Sequence, residues 1–136
     1  MYRSIVVAVD MAQLERGERI LEKAATLLDA GGKITIVNVV EELPGYLAID
    51  VPTDLVAQAR TDASQKLAAL RDRFGIDAAI EIRQGGPAHE ILAAAEANRA
   101  DLIVLASHVP DFSNYFIGAT ADRVVRHAKC SVLVDR

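Results

Sequence analysis

The sequence predicts an α/β fold: a parallel sheet covered by helices on both faces. Three observations carry that prediction. Strand-like and helix-like stretches alternate from one end of the chain to the other. The stretches at residues 4–9 and 102–106 are nearly unbroken apolar runs, and aromatic residues are scarce, with three Tyr, three Phe and no Trp. A strand buried on both faces loses its polar alternation and reads as a continuous aliphatic run. Alternating strand and helix then gives right-handed crossovers and a parallel sheet. Five strand patterns give five strands in a three-layer sandwich, and 136 residues make one domain, 1–136, able to bury an ordinary core.

In order, residues 4–9 form the first strand, which ends at Asp10. A helical pattern follows with Leu14, Leu21, Ala24 and Leu28 on one face, stopped by Gly31-Gly32. Residues 33–40 make the second strand. Residues 41–53 are irregular, with Pro44, Gly45 and Pro52. Tyr46, Leu47 and Ile49 make this stretch too apolar for a plain linker, so it is expected to fold back as a lid or to meet a partner. Thr53 or Asp54 caps the next helix, whose Val56, Ala59, Ala63, Leu67, Leu70 and Phe74 recur at three- and four-residue spacing before Gly75. Residues 78–83 alternate Ile80 and Ile82 with Glu81 and Arg83, so this strand lies near an edge. Gly86-Pro87 opens a third helix, with Ile91, Leu92 and Ala95 inside. The strand at 102–106 leads to a polar loop and then Gly118-Ala119-Thr120. A last helix buries Ala121, Val124, Val125 and Ala128, and residues 131–134 are the closing strand.

A net charge of −4, with basic residues scattered, excludes a nucleic-acid surface, which needs clustered Lys and Arg. A single cysteine, Cys130, excludes an internal disulfide and fits a reducing compartment; it reads as a buried, inert thiol. No segment reads as an export signal or a membrane span, so the expected place is the cytoplasm, with no membrane insertion. His89, His108 and His127 lie on separate elements without ligand spacing, so no metal site is expected.

The last third of the chain runs strand, ligand-sized loop, helix, strand. Its order of Ala-Ser-His, Pro110-Asp111, Gly118 and Val-Val-Arg-His-Ala-x-Cys-Ser-Val-Leu-Val resembles the C-terminus of the universal stress protein family. Within that family it is most similar to the branch called UspF and UspG in enteric bacteria. The start at residues 5–10, Ile36-Val37-Asn38-Val39 and Gly85-Gly86-Pro87 extend the resemblance over the whole chain. It implies a Rossmann-like sheet of the adenine nucleotide alpha hydrolase type, in strand order 3-2-1-4-5. That order reverses between strands 1 and 4, which puts the ligand crevice between Asp10 and Ala106-Ser107.

Asp10 has two compatible readings, a helix cap and a ligand anchor. By the resemblance, Ala8, Val9 and Asp10 line a base pocket, and Val39 offers main-chain groups to an adenine edge. Nucleotide-binding members carry Gly-x-x-Gly, nine residues, then Gly-Ser or Gly-Thr. Here Ala106, Val109 and Ala119 replace the two glycines and the hydroxyl residue, and the spacer is one residue shorter. Ser107, His108, Pro110, Gly118 and Thr120 remain, with backbone N–H groups at Gly118, Ala119 and Thr120 to hold an anion. His108 is read as a phosphate or ribose neighbour rather than a general base.

The resemblance therefore implies a regulatory protein of the stress response that binds ATP or AMP through a degenerate phosphate loop, magnesium arriving only with ATP. It is not expected to be a metabolic enzyme, slow ATP hydrolysis aside. The rival is a nucleotide-free interaction module of the same fold that regulates a partner such as a transporter. The family pairing of the last strand implies a homodimer with Val132 and Val134 near the seam, open to higher assembly, and with Asp135 a potential source of repulsion there.

Overall fold

A computed structural model describes residues 1–41, 53–107 and 118–136 of the chain. The element order is β1 (Tyr2–Ala8), a 3₁₀ turn (Met11–Gln13), α1 (Leu14–Leu27), β2 (Leu28–Val40), α2 (Thr53–Arg73), β3 (Ala78–Gln84), α3 (Pro87–Ala97), β4 (Leu102–Ala106), α4 (Ala119–His127) and β5 (Ser131–Asp135). The five strands form one sheet in the order β3-β2-β1-β4-β5, every neighbouring pair parallel. This is the expected doubly wound sheet, with β1 central and the order reversing beside it.

Alternate side chains of β1 and β4 feed two cores. Ile5 and Val7 of β1 and Leu102 and Val104 of β4 pack with Ile20, Leu21 and Ala24 of α1 and Leu67 and Leu70 of α2. Val6, Ile103 and Leu105 pack on the other face with Ile91, Ala94 and Ala95 of α3 and Ala121 and Val124 of α4. Residues 5–7 of β1 and 102–105 of β4 thus have an apolar helix over them, whichever way they point, and that is why these stretches read as unbroken aliphatic runs.

Several expectations need correction. Leu28 does not continue α1. It takes extended angles (φ −79°, ψ 131°) and opens β2, opposite Tyr2. The register then slips, so that Ser4 faces Lys33, and Gly31, at φ +80°, absorbs the extra residues in a conformation only glycine takes cheaply. The two glycines therefore sit inside a bulged strand rather than at a helix end. Val125 is exposed, because α4 packs through Ala121 and Val124 alone. On α2, Ala63, Leu67 and Leu70 are buried as expected, while Ala59 is exposed and Val56 half-buried. Cys130 is half-buried rather than enclosed, and burial, followed by the nearby Asp101 charge, pushes its thiol up and away from the reactive thiolate.

The two sheet edges differ. Hydrogen-bond direction alternates along a strand. The Gly85 N–H goes inward to the Val40 carbonyl, so Ala78 and Ile82 direct their carbonyls outward. There they accept from Arg71 Nη1 and Arg60 Nη2 of α2, each at 3.1 Å. At the other edge the Ser107 N–H donates to the Asp135 carbonyl at 2.8 Å, so Val132 and Val134 turn their main-chain groups outward.

Candidate functional site

The crevice lies at the carboxyl ends of β1 and β4, at the reversal of strand order. Two adjoining cavities open there. The first, about 210 Å³, is lined by Ala8, Asp10, Gln13, Arg16, Gly17, Ile20, Ala106, Ser107 and the α4 start, residues 118–121. The second, about 170 Å³, is lined by Ala8, Val9, Asp10, Val37, Asn38, Val39, Glu41, Pro87, Ile91, Leu105, Ala106 and Thr120. They share Ala8, Asp10, Ala106 and Thr120. Every expected site residue among those described lines one or both. His108 and Pro110 lie outside the described residues, as do Val109, Asp111 and the apolar loop with Tyr46, Leu47 and Ile49.

Asp10 is a cap: its Oδ1 accepts the Ala12 N–H at 2.9 Å, holding the 3₁₀ turn against the end of β1. Its carboxylate is exposed toward both cavities, so the cap and an anchoring role remain compatible.

Val39 owes its position to a residue that sequence reasoning quoted without giving it a role. The Val9 N–H donates to the Val37 carbonyl at 2.9 Å. In a parallel ladder the Val39 N–H would next meet the Val9 carbonyl. The buried Asn38 takes that carbonyl instead, through Nδ2 at 2.8 Å. By the same alternation, Val39 directs its N–H and C=O past the end of β1, on the side of the second cavity. A donor and an acceptor two bonds apart on one strand form a linear recognition edge.

At the other end, Ser107 is buried and its Oγ accepts the Gly118 N–H at 2.9 Å. Of the three backbone donors expected for an anion, Gly118 is therefore engaged. Ala119 and Thr120 remain at the N-terminus of α4, where Gly118 provides no side-chain cap.

Arg16 also lines the first cavity, and the sequence reading gave it no role. It is half-buried on the first turn of α1, and its Nη1 donates to the Ser107 carbonyl at 3.0 Å. Two further cations lie on that side of α1. Arg19 Nε reaches Asp135 Oδ2 at 2.7 Å, and Lys23 Nζ bonds Asp135 Oδ1. Burial alone would raise the Asp135 carboxyl, but the hydrogen bonds and charges of Lys23 and Arg19 outweigh it and hold the group below the usual carboxylate range. The spacing Arg16, Arg19, Lys23 was visible as a basic stripe, but such a stripe on a helix ordinarily reads as a solvated face.

Among the described residues no cluster of His, Cys, Asp and Glu is arranged to hold a metal ion, and no helix is long and apolar enough to cross a membrane. A sequence model of the universal stress protein family matches residues 1–136. The chain belongs to the universal stress protein family. It is 29% identical over 146 aligned positions to universal stress protein G of Shigella flexneri and of Escherichia coli O157:H7, the whole of both chains being covered. Universal stress protein UspA from Lactobacillus plantarum superposes with a TM-score of 0.77 at 24% identity, over 99% of this chain and 98% of that one. Two more distant neighbours share the fold and were solved with ligands. One, from Archaeoglobus fulgidus, is in complex with dAMP (TM-score 0.62, 23% identity, 99% and 98% covered). The other is a universal stress protein in complex with cAMP (TM-score 0.64, 20% identity, 99% and 97% covered).

Proposed function

We propose that this universal stress protein binds an adenine nucleotide, AMP or ATP, across the two cavities and acts as a regulatory protein through its occupied and empty states. The observation that carries this reading is the free Val39 edge facing the second cavity. It offers one N–H and one C=O, the pattern an adenine presents in complement at N1 and N6. The first cavity then takes the phosphates, against the α4 start. Each cavity alone is below the roughly 300 Å³ at which ligand pockets usually begin, so a nucleotide would occupy both and cross the shared Asp10 and Thr120. The dAMP and cAMP held by two neighbours of this fold support the ligand class. Magnesium enters only as the companion of ATP.

The protein is proposed as a binder, not a catalyst, acting in the cytoplasm as a homodimer through β5. The capped β3 edge and the outward main-chain groups of Val132 and Val134 favour that pairing. Asp135, whose side chain is buried against Arg19 and Lys23, is removed as a source of repulsion.

Ala119 favours a second reading, a nucleotide-free module that regulates a protein partner such as a transporter. The first residue of α4 is an exposed methyl where a hydroxyl donor would serve a phosphate. Purified protein, denatured and passed over a reversed-phase column, separates the two. Stoichiometric release of an adenine nucleotide, or calorimetric binding of added AMP, supports the first. Neither release nor binding leaves the second.

A further inference from the structure

The geometry points to Arg16 as the residue that reads the nucleotide's phosphate, supplying from α1 the cation that the loop position Val109 lacks. This inference rests on the nucleotide reading and adds to it a source of charge outside the degenerate loop. Arg16 lines the first cavity together with Ala119 and Thr120. Its guanidinium is fixed by one hydrogen bond, from Nη1 to the Ser107 carbonyl at 3.0 Å. That bond leaves most of its donors, which number five in a guanidinium, and none of its charge is neutralised by a carbonyl. Among the described residues no carboxylate forms an ion pair with it, whereas Arg19 and Lys23 on the same helix are both held by Asp135. A half-buried arginine whose neighbours are paired, and which is held rigid by a neutral acceptor, suits bidentate capture of a phosphate.

The position has a consequence for specificity. Arg16 lines the first cavity together with Asp10, which also lines the second, so it meets the phosphate closest to the ribose. The chain should discriminate adenosine from AMP strongly, and AMP from ATP weakly.

Calorimetry at low salt with adenosine, AMP and ATP tests this on the wild type, Arg16→Gln, Arg16→Lys and a charge control at a remote exposed lysine, Lys66→Gln. Losing a charge-assisted hydrogen-bonding partner should weaken AMP by about tenfold to a hundredfold, leave adenosine unchanged within about twofold, and spare the Lys66 variant. Arg16→Lys should fall between, keeping charge but losing the fork. Melting curves without ligand check that each variant is folded. If folded Arg16→Gln or Arg16→Lys binds AMP as the wild type does, the inference is wrong while nucleotide binding stands. A wild type that binds neither adenosine nor AMP overturns the nucleotide reading itself.

Discussion

Ser107 and Gly118 are joined across the segment between them: the Ser107 Oγ accepts the Gly118 N–H at 2.9 Å. The bond fixes the start of α4 against the end of β4, whatever path the chain takes between. Ser107 is thus anchored on three sides, since its N–H goes to Asp135 and its carbonyl receives Arg16. The candidate phosphate end is built around this serine as a frame. Replacing Ser107 with Ala should cost about 1 kcal/mol of stability, the usual net worth of such a bond. It should also speed hydrogen exchange at the Gly118 amide relative to that of Val124. Unchanged exchange at Gly118 would show that the bond does not hold the start of α4.

Acid should expose the Asp135 pair. A carboxyl held below its unfolded value contributes stability that is present above the unfolded pKa, about 4 for Asp, and is lost as pH falls through the folded value. Asp101 acts in the same direction: the Arg3 N–H bond lowers its carboxyl most, against burial, with the Ser4 N–H adding to the effect. Stability from urea melts should therefore fall between about pH 4 and pH 2. Asp135→Asn should flatten that limb and cost about 1–3 kcal/mol near neutrality, the half-exposed Arg19 and Lys23 recovering water. An acid limb as steep as that of the wild type would mean the pair contributes nothing.

Gly17 is a packing glycine. A Cβ there would stand 2.6 Å from Val9 Cγ1, on a β-branched side chain that is itself buried. The helix propensity gained by Ala is about 1 kcal/mol, and overpacking costs about 1–3 kcal/mol. Gly17→Ala is therefore expected to destabilise slightly and to displace Val9 from the second cavity. A raised melting temperature would contradict this.

The dimer prediction follows from strand direction. Val134 points its N–H away from β4, so Val134→Pro removes a donor from the open edge and leaves the internal ladder whole. Light scattering at micromolar concentration should read a dimer for the wild type and a monomer for the variant, with unchanged circular dichroism. A monomeric wild type would remove β5 as an assembly surface.

Restoring the family's phosphate loop offers an independent test of the anion end. The double change Val109→Arg with Ala119→Ser should tighten ATP more than AMP, because each added donor gives the longer phosphate chain another partner. Equal effects on both nucleotides would place the outer phosphates elsewhere.

The sequence made the sheet legible because burial on both faces writes itself into β1 and β4 as aliphatic runs. The strand order needed the family resemblance. Helix ends were less visible: Leu28 keeps the helical spacing of α1 yet turns into β2, since pairing with Tyr2 outweighs a local pattern. The same limit hid the site's polar frame. Asn38 and Arg16 matter through partners that the fold brings from far along the chain, the Val9 and Ser107 carbonyls, and no spacing rule connects them. Val39 and Ala106, whose expected roles are carried by the backbone, were named through the family resemblance, because a main-chain role leaves no mark in side-chain identity.

In the proposed complex adenine lies along Val39, with its phosphate between Arg16 and the α4 start. Amide shift mapping of the labelled full chain during AMP titration tests it most directly. Saturable shifts are expected at Val39, Asp10, Ala119 and Thr120 and at the Arg16 Nε, with adenosine moving Val39 but not Ala119. Saturation by AMP with Val39 and Thr120 unmoved would contradict it.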